Sequence, residues 1–244
     1  MLLSLETLFG YHLDAKDDRI GRCKDFMFDD RDWVVRYMVA NTHRWLPGGR
    51  DVLISPISMG HPYEQEKAIA VKLDVDQIKN SPLLEDNQPI SREYESRLFR
   101  HYGYGFYWMG AGLWGTYPHP GALVDSRALD MEEGLADEKQ YHLRSVQEID
   151  GYIVQAQDDG CGHVADLLVD DRSWAIRYVV VNLRNWLPGG PNVVLPREVI
   201  KEISWPQQHV EVNLSADQVK DAVQYEPEQL ADPNYENKLQ TAFR

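Results

Sequence analysis

Cysteine is nearly absent from this sequence: Cys23 and Cys161 are the only two among 244 residues. Two thiols build neither a disulfide framework nor a thiolate zinc site. Basic charge is scarce too, with 25 Lys and Arg against 39 Asp and Glu and a net charge of −14. That balance argues against nucleic acid as a partner, because the sequence-independent part of such binding comes from cations neutralising phosphates. An acidic surface suits a protein, cation or small-molecule partner instead. The opening residues Met1 to Glu6 lack a basic n-region and reach an acid too early for a signal peptide, so the expected setting is cytoplasmic and reducing. One stretch, Tyr102 to Val124, carries no Lys, Arg, Asp or Glu and is long enough to span a bilayer. Glycine recurs through it and Pro118 and Pro120 interrupt it, so no membrane-spanning helix is expected.

Catalytic signatures are missing as well. The eight histidines show no HxH or HExxH spacing, and there is no G-x-S-x-G and no Walker loop. Gly110, Gly112 and Gly115 do fit G-x-G-x-x-G, with Asp130 twenty residues beyond the first glycine. That motif cradles a pyrophosphate only between a strand and a helix, and Pro118 and Pro120 block the helix. The pairs Asp29-Asp30 and Asp170-Asp171 lack the alternating acids, central Gly and closing Glu of a calcium loop, and read as turn formers. No catalytic residue, cofactor site or metal site is therefore expected, and the chain is not expected to be an enzyme.

What is present is a repeat. Asp29-Asp30-Arg31-Asp32-Trp33 returns as Asp170-Asp171-Arg172-Ser173-Trp174, and Trp45 to Gly49 returns as Trp186 to Gly190. The offset stays at 141 residues without a gap from Leu2 to Gly103, and 33 of the 102 aligned positions are identical. Such self-similarity reads as an internal duplication. Within each copy, Arg19 to Phe28 and Gly160 to Val169 read as strands. Val34 to Ala40 and Ala175 to Val181 are rich in β-branched and aromatic residues and read as half-buried strands. Shorter strands are expected at Asp51 to Ile54, Asn192 to Leu195, Ala68 to Leu73 and Val210 to Leu214. Ser215 to Gln218 has capping-box form and opens a helical turn. Short strands with frequent turn signals favour a barrel or sandwich over a βαβ arrangement.

Each copy ends in a helix. Tyr94, Leu98, His101 and Tyr102 stand at helical spacing, as do Tyr235, Leu239, Ala242 and Phe243 behind Asp232 and Pro233. These helices either pack on their own barrels or pair the two halves, or two protomers in a homodimer. The expected organisation is a first barrel at 1–82 with a helical tail at 83–103, a Gly- and aromatic-rich linker at 104–142, a second barrel at 143–223 and a second tail at 224–244. The linker holds Tyr104, Phe106, Tyr107, Trp108, Trp114 and Tyr117. Aromatic rings are enriched at interface hot spots. With Trp45 and Trp186 these residues form the candidate interaction surface, the alternative being that the linker fills a cleft between the barrels. Arg36-Tyr37 and Arg177-Tyr178 recur in mid-strand, and each arginine is expected to pair with a carboxylate, Asp25 and Asp166 being the candidates. Both cysteines replace apolar residues of the other copy and are expected in the core.

The string Ile20-Gly21, Asp25, Asp29, Arg36-Tyr37 and Val39 resembles the PRC-barrel family, as do Val52 to Pro56 and Asp76 to Pro82. The second copy is similar through Gly162, Val164, Asp166 to Asp170, Arg177 to Val181 and Ser215 to Lys220. The family includes the cytoplasmic barrel of the photosynthetic reaction-centre H subunit and the C-terminal domain of a ribosome-maturation factor. The resemblance implies a mainly β chain of two small barrels, related by pseudo-two-fold symmetry and each trailed by a short helix. It implies a non-catalytic binding or assembly module that acts through protein–protein contacts. Two alternatives stay open: a peripheral subunit or regulator of a membrane electron-transfer complex, and a small-ligand site or enzyme in a cleft between the barrels.

Overall fold

The β-branched and aromatic runs are strands, and the computed structural model describes residues 1–45, 49–84, 89–124, 142–184 and 190–243. In chain order the elements are β1 (Leu2–Ser4), α1 (Leu5–Leu8), β2 (His12–Asp14), β3 (Arg19–Asp29), β4 (Val34–Asn41), β5 (Asp51–Ile54), β6 (Met59–Tyr63), β7 (Ala68–Val71), α2 (Val75–Lys79) and α3 (Arg92–Tyr102). They continue with β8 (Leu143–Ser145), α4 (Val146–Ile149), β9 (Ile153–Gln155), β10 (Gly160–Asp170), β11 (Ile176–Asn182), β12 (Asn192–Pro196), β13 (Ile200–Ser204), β14 (His209–Val212), α5 (Ala216–Lys220) and α6 (Pro233–Thr241). Most of the two Trp-Leu-Pro-Gly-Gly loops lies outside the described residues, and Trp186 and Asp130 fall there.

The chain is mainly β and forms two seven-stranded sheets. One runs β5-β4-β3-β2-β7-β6 and the other β12-β11-β10-β9-β14-β13. Neighbours are antiparallel except β2 with β7 and β9 with β14, which are parallel. The seventh strand of each sheet lies off this path: β8 pairs with Met27–Asp29 of β3, and β1 pairs with Leu168–Asp170 of β10. Among the described residues no ladder joins β5 to β6 or β12 to β13, so neither sheet closes by strand pairing.

Two compact units result. The leading unit comprises Leu8–Ser145 with Arg172–Ala175, and the trailing unit comprises Met1–Thr7, Val146–Asp171 and Ile176–Arg244. The division thus differs from a cut through the linker: each unit takes a short segment from the other half of the sequence. Such pairing across more than 110 residues leaves no local pattern in the sequence.

Turn geometry repeats along with strand order. Trp33 and Trp174 take left-handed φ values of 55° and 57°, Lys67 and Gln208 of 47° and 53°, and Gly10 and Gly151 of 77° and 78°. Asp29 builds the first of these turns, its Oδ1 accepting from the amides of Arg31 and Asp32 at 3.0 and 3.1 Å. Gly21 and Gly162 have φ of 134° and 147°, and a Cβ on either would stand 2.6 Å from the carbonyl oxygen of Asn41 or Asn182. Helices α2 and α5 both open with capping boxes, from Asp74 with Gln77 and from Ser215 with Gln218.

The core of the leading unit is drawn from both faces of β4, buried from Val34 to Ala40. In the trailing unit Leu2, Leu168, Tyr178, Val180, Val194, Tyr235 and Leu239 form one buried cluster. Tyr235 and Leu239 lie on α6, so within this unit the terminal helix covers its own sheet. Cys23 and Cys161 are both buried and unpaired.

Candidate functional site

The richest polar and aromatic cluster forms in the leading unit around Arg36. Strand pairing matches Met27 with Tyr37 and Phe28 with Val35, so Arg36 is a bulged residue opposite no partner. A bulge re-aims a side chain, and here it lets an arginine sit within a strand buried throughout. The guanidinium is 1% exposed. Its Nη2 donates to Asp32 at 2.8 Å and its Nη1 to the carbonyl of Leu113. Its carbon lies 3.9 Å from the centroid of the Tyr107 ring and 5.0 Å from that of Trp114. A desolvated guanidinium over aromatic faces is a favourable cation–π arrangement. The carboxylate partner of Arg36 is therefore Asp32 rather than Asp25, which pairs across the ladder with Val39 and accepts from the Ser145 hydroxyl at 2.5 Å.

Helix α3 supplies the second part. Ser91 caps it, accepting from the amide of Tyr94 at 3.1 Å, and Gly103 ends it in the left-handed conformation. Glu95, 3% exposed, accepts from the hydroxyls of Tyr37 at 2.7 Å and Tyr107 at 2.8 Å, and pairs with Arg92 at 2.8 Å. Arg92 also donates to the Tyr107 hydroxyl at 2.9 Å and lies 4.3 Å from the Trp108 ring centroid. Phe99, one α3 turn on, meets the rings of Tyr37, Tyr104, Phe106, Tyr107 and Trp108 at centroid distances of 5.4 to 6.3 Å.

Beyond Gly103 the segment 104–118 turns back over α3 and β4. The Tyr104 hydroxyl bonds that of Ser58, and the Trp114 indole donates to the carbonyl of Ser173 at 2.6 Å. Gly110, Gly112 and Gly115 serve close backbone turns: the Gly112 amide donates to the Gly115 carbonyl at 2.9 Å, and a Cβ on Gly110 would lie 2.6 Å from Gly115. Burial pushes the hydroxyls of Tyr37 and Tyr107 well above the ordinary tyrosine range, and the neighbouring Glu95 charge adds to it. Both stay protonated and donate. Burial also raises the Glu95 carboxyl, against the opposing pull of Arg92 and the two hydroxyls. The arrangement is a clamp: charge and hydrogen bonds hold an aromatic segment on the groove between α3 and β4.

Tyr104, Phe106, Tyr107 and Trp114, expected as an interaction surface, thus face inward and are at most 4% exposed. Trp108 is half-buried against Phe99 and Phe106, and Tyr117 is exposed. Trp45 is not brought to this cluster and stands edge-on to His12 at 6.4 Å. Trp186 lies outside the described residues. Glu95, Arg92 and Asp32 were not singled out from the sequence. Arg92, Glu95 and Phe99 fall at helical spacing on one α3 face, and Glu95 recurs as Glu236, so a signal for them existed. Among the described residues no group of three His, Cys, Asp or Glu side chains stands close enough to hold a metal, and no helix is long and apolar enough to cross a membrane. Comparison with protein-family models gives no match, and comparison with curated protein sequences gives none.

Proposed function

We propose that the chain is an internal duplication of a small PRC-like barrel and works as a non-catalytic binding or assembly module through protein–protein contacts. The shared strand order, the shared bulge and the matching turn conformations 141 residues apart support the duplication. The observation that carries the functional reading is the clamp of the leading unit. There the groove between strand and helix holds fifteen residues of irregular, aromatic polypeptide by an arginine, a glutamate and a row of rings. Hot spots of protein interfaces use the same chemistry, arginine and aromatic anchors in a desolvated pocket.

The test is affinity capture from native cells, followed by reconstitution of the recovered protein with the purified chain. A complex of fixed stoichiometry on size-exclusion chromatography is the expected result. Reproducible turnover of a small substrate, abolished by a point substitution, overturns the reading.

A further inference from the structure

The groove that the leading unit fills stands open in the trailing unit. A cavity of about 320 Å³ is lined there by Arg177, Tyr178, Val199, Leu239, Gln240 and Phe243, among others. Subtracting the 141-residue offset turns these into Arg36, Tyr37, Ser58, Leu98, Phe99 and Tyr102, of which Arg36, Ser58, Phe99 and Tyr102 touch segment 104–118. Arg177 is the bulged residue of β11, since Leu168 pairs with Tyr178 and Val169 with Ile176. It is exposed, whereas Arg36 is buried. Glu236, the counterpart of Glu95, acts electrostatically on Tyr178 together with Glu198. The arginine and glutamate that grip the aromatic segment in one unit thus recur in the other, with Arg177 exposed and Glu236 half-buried, while Tyr178 and Leu239 are buried in the core beneath them.

We propose that this groove of the trailing unit receives a segment of a partner protein that is aromatic, turn-forming and free of acidic residues, with a tyrosine ring placed against Arg177 and its hydroxyl directed to Glu236. The inference rests on the protein-binding reading above and names the surface and the occupant. The differences between the grooves refine the occupant. Val199 replaces the Ser58 that bonds the Tyr104 hydroxyl, so the first ring needs no hydroxyl. Gln240 replaces the Phe99 ring and Pro233 replaces Arg92, so the partner offers polar groups to Gln240 where segment 104–118 offers stacked rings. The absence of acids follows from the setting, a chain of net charge −14 with Glu198 and Glu236 beside the groove.

The test titrates the full chain with a synthetic peptide of residues 104–118, read by fluorescence anisotropy and by amide chemical shifts. Saturable one-to-one binding is expected, with shifts at Val199, Leu239 and Phe243. Arg177→Ala and Glu236→Gln should each weaken it by about fivefold or more, as loss of one hot-spot contact does. Both side chains lie outside the core, so unchanged thermal unfolding checks that the variants fold. No saturation at millimolar peptide, or binding indifferent to both substitutions, overturns the proposal. Shifts confined to the leading unit overturn it as well, since the peptide then only exchanges with its own copy. A dimer that excludes the peptide and dissociates on Arg177→Ala makes a second copy the occupant and overturns the partner assignment. A reconstituted partner that binds wild type and Arg177→Ala equally well removes this groove but leaves the protein-binding reading standing.

Discussion

The hydroxyl of Tyr107 donates to Glu95 at 2.8 Å, so a side chain of the irregular segment completes the hydrogen bonding of a carboxylate buried on α3. Removing the carboxylate leaves two tyrosine hydroxyls and the Arg92 charge without their acceptor. Breaking a buried ion pair from one side costs about 3–5 kcal/mol. Glu95→Ala should therefore lower stability by that order in urea unfolding, and Glu95→Gln by less because its amide oxygen still accepts. Equal stability of Glu95→Ala and wild type would show that the clamp holds nothing.

Trp114 is fully buried and its indole donates to Ser173 at 2.6 Å. Trp114→Ala removes a large core side chain, a loss of about 3–5 kcal/mol. Because this ring pins segment 104–118, limited proteolysis should cut the variant between residues 104 and 124 well before the wild type. An unchanged digestion pattern would contradict the packing described.

Asp166 gives a pH dependence. Burial pushes its carboxyl up to about 7, while the hydroxyl of Ser4 and the amides of Glu6 and Leu167 oppose the rise. The folded state then holds more protons on this group than the unfolded state between about pH 4 and pH 7. Its contribution to stability is present at the acid end and falls away as pH rises through that window, by at most about 4 kcal/mol. Asp166→Asn keeps an oxygen to accept from the amides of Glu6 and Leu167, at 2.9 and 2.7 Å in the wild type. The variant should unfold at a higher temperature than the wild type at pH 8, and the difference should shrink toward pH 5. A difference independent of pH would exclude the buried proton.

Gly21 and Gly162 occupy one register position in the two sheets, with φ of 134° and 147°. Alanine at either site meets a carbonyl oxygen at 2.6 Å and a backbone conformation that costs about 1–3 kcal/mol for a side-chain-bearing residue. Gly21→Ala and Gly162→Ala should each destabilise by at least that amount. The control is Gly103→Ala, where nothing lies within 4 Å and only the left-handed φ of 72° resists.

Both thiols should be inert. Burial raises Cys161 to about 11 and Cys23 further, so little thiolate exists at neutral pH. Ellman's reagent at pH 8 should find neither in the native protein and both in denaturant. A fast native burst would place one of them at the surface.

The strands that carry β-branched residues were legible to within a residue or two. Val34 to Ala40 was expected where Val34–Asn41 is found, and Asp51–Ile54 matched. The helix expected through Tyr94, Leu98, His101 and Tyr102 is found as Arg92–Tyr102. The strand Met59–Tyr63 was not legible, because its Gly60 and Pro62 carry turn signals and its pairing with β7 alone makes it a strand. The strands β1 and β8 were missed for a different reason: three residues show no period, and their partners lie in the other half of the sequence.

Few cysteines and few cations bounded the chemistry, and the 141-residue offset marked a repeat in the sequence, since identities and spacings are properties of the chain itself. What the sequence could not decide is the environment of identical residues. Arg36-Tyr37 and Arg177-Tyr178 read alike, yet Arg36 is enclosed by Tyr107, Trp114 and Leu113 while Arg177 is open. The aromatic rings that looked available for a partner are for the most part already bound within their own unit. Burial is set by what arrives from elsewhere in the chain, and only the tertiary structure brought segment 104–118 to one groove and left the other open.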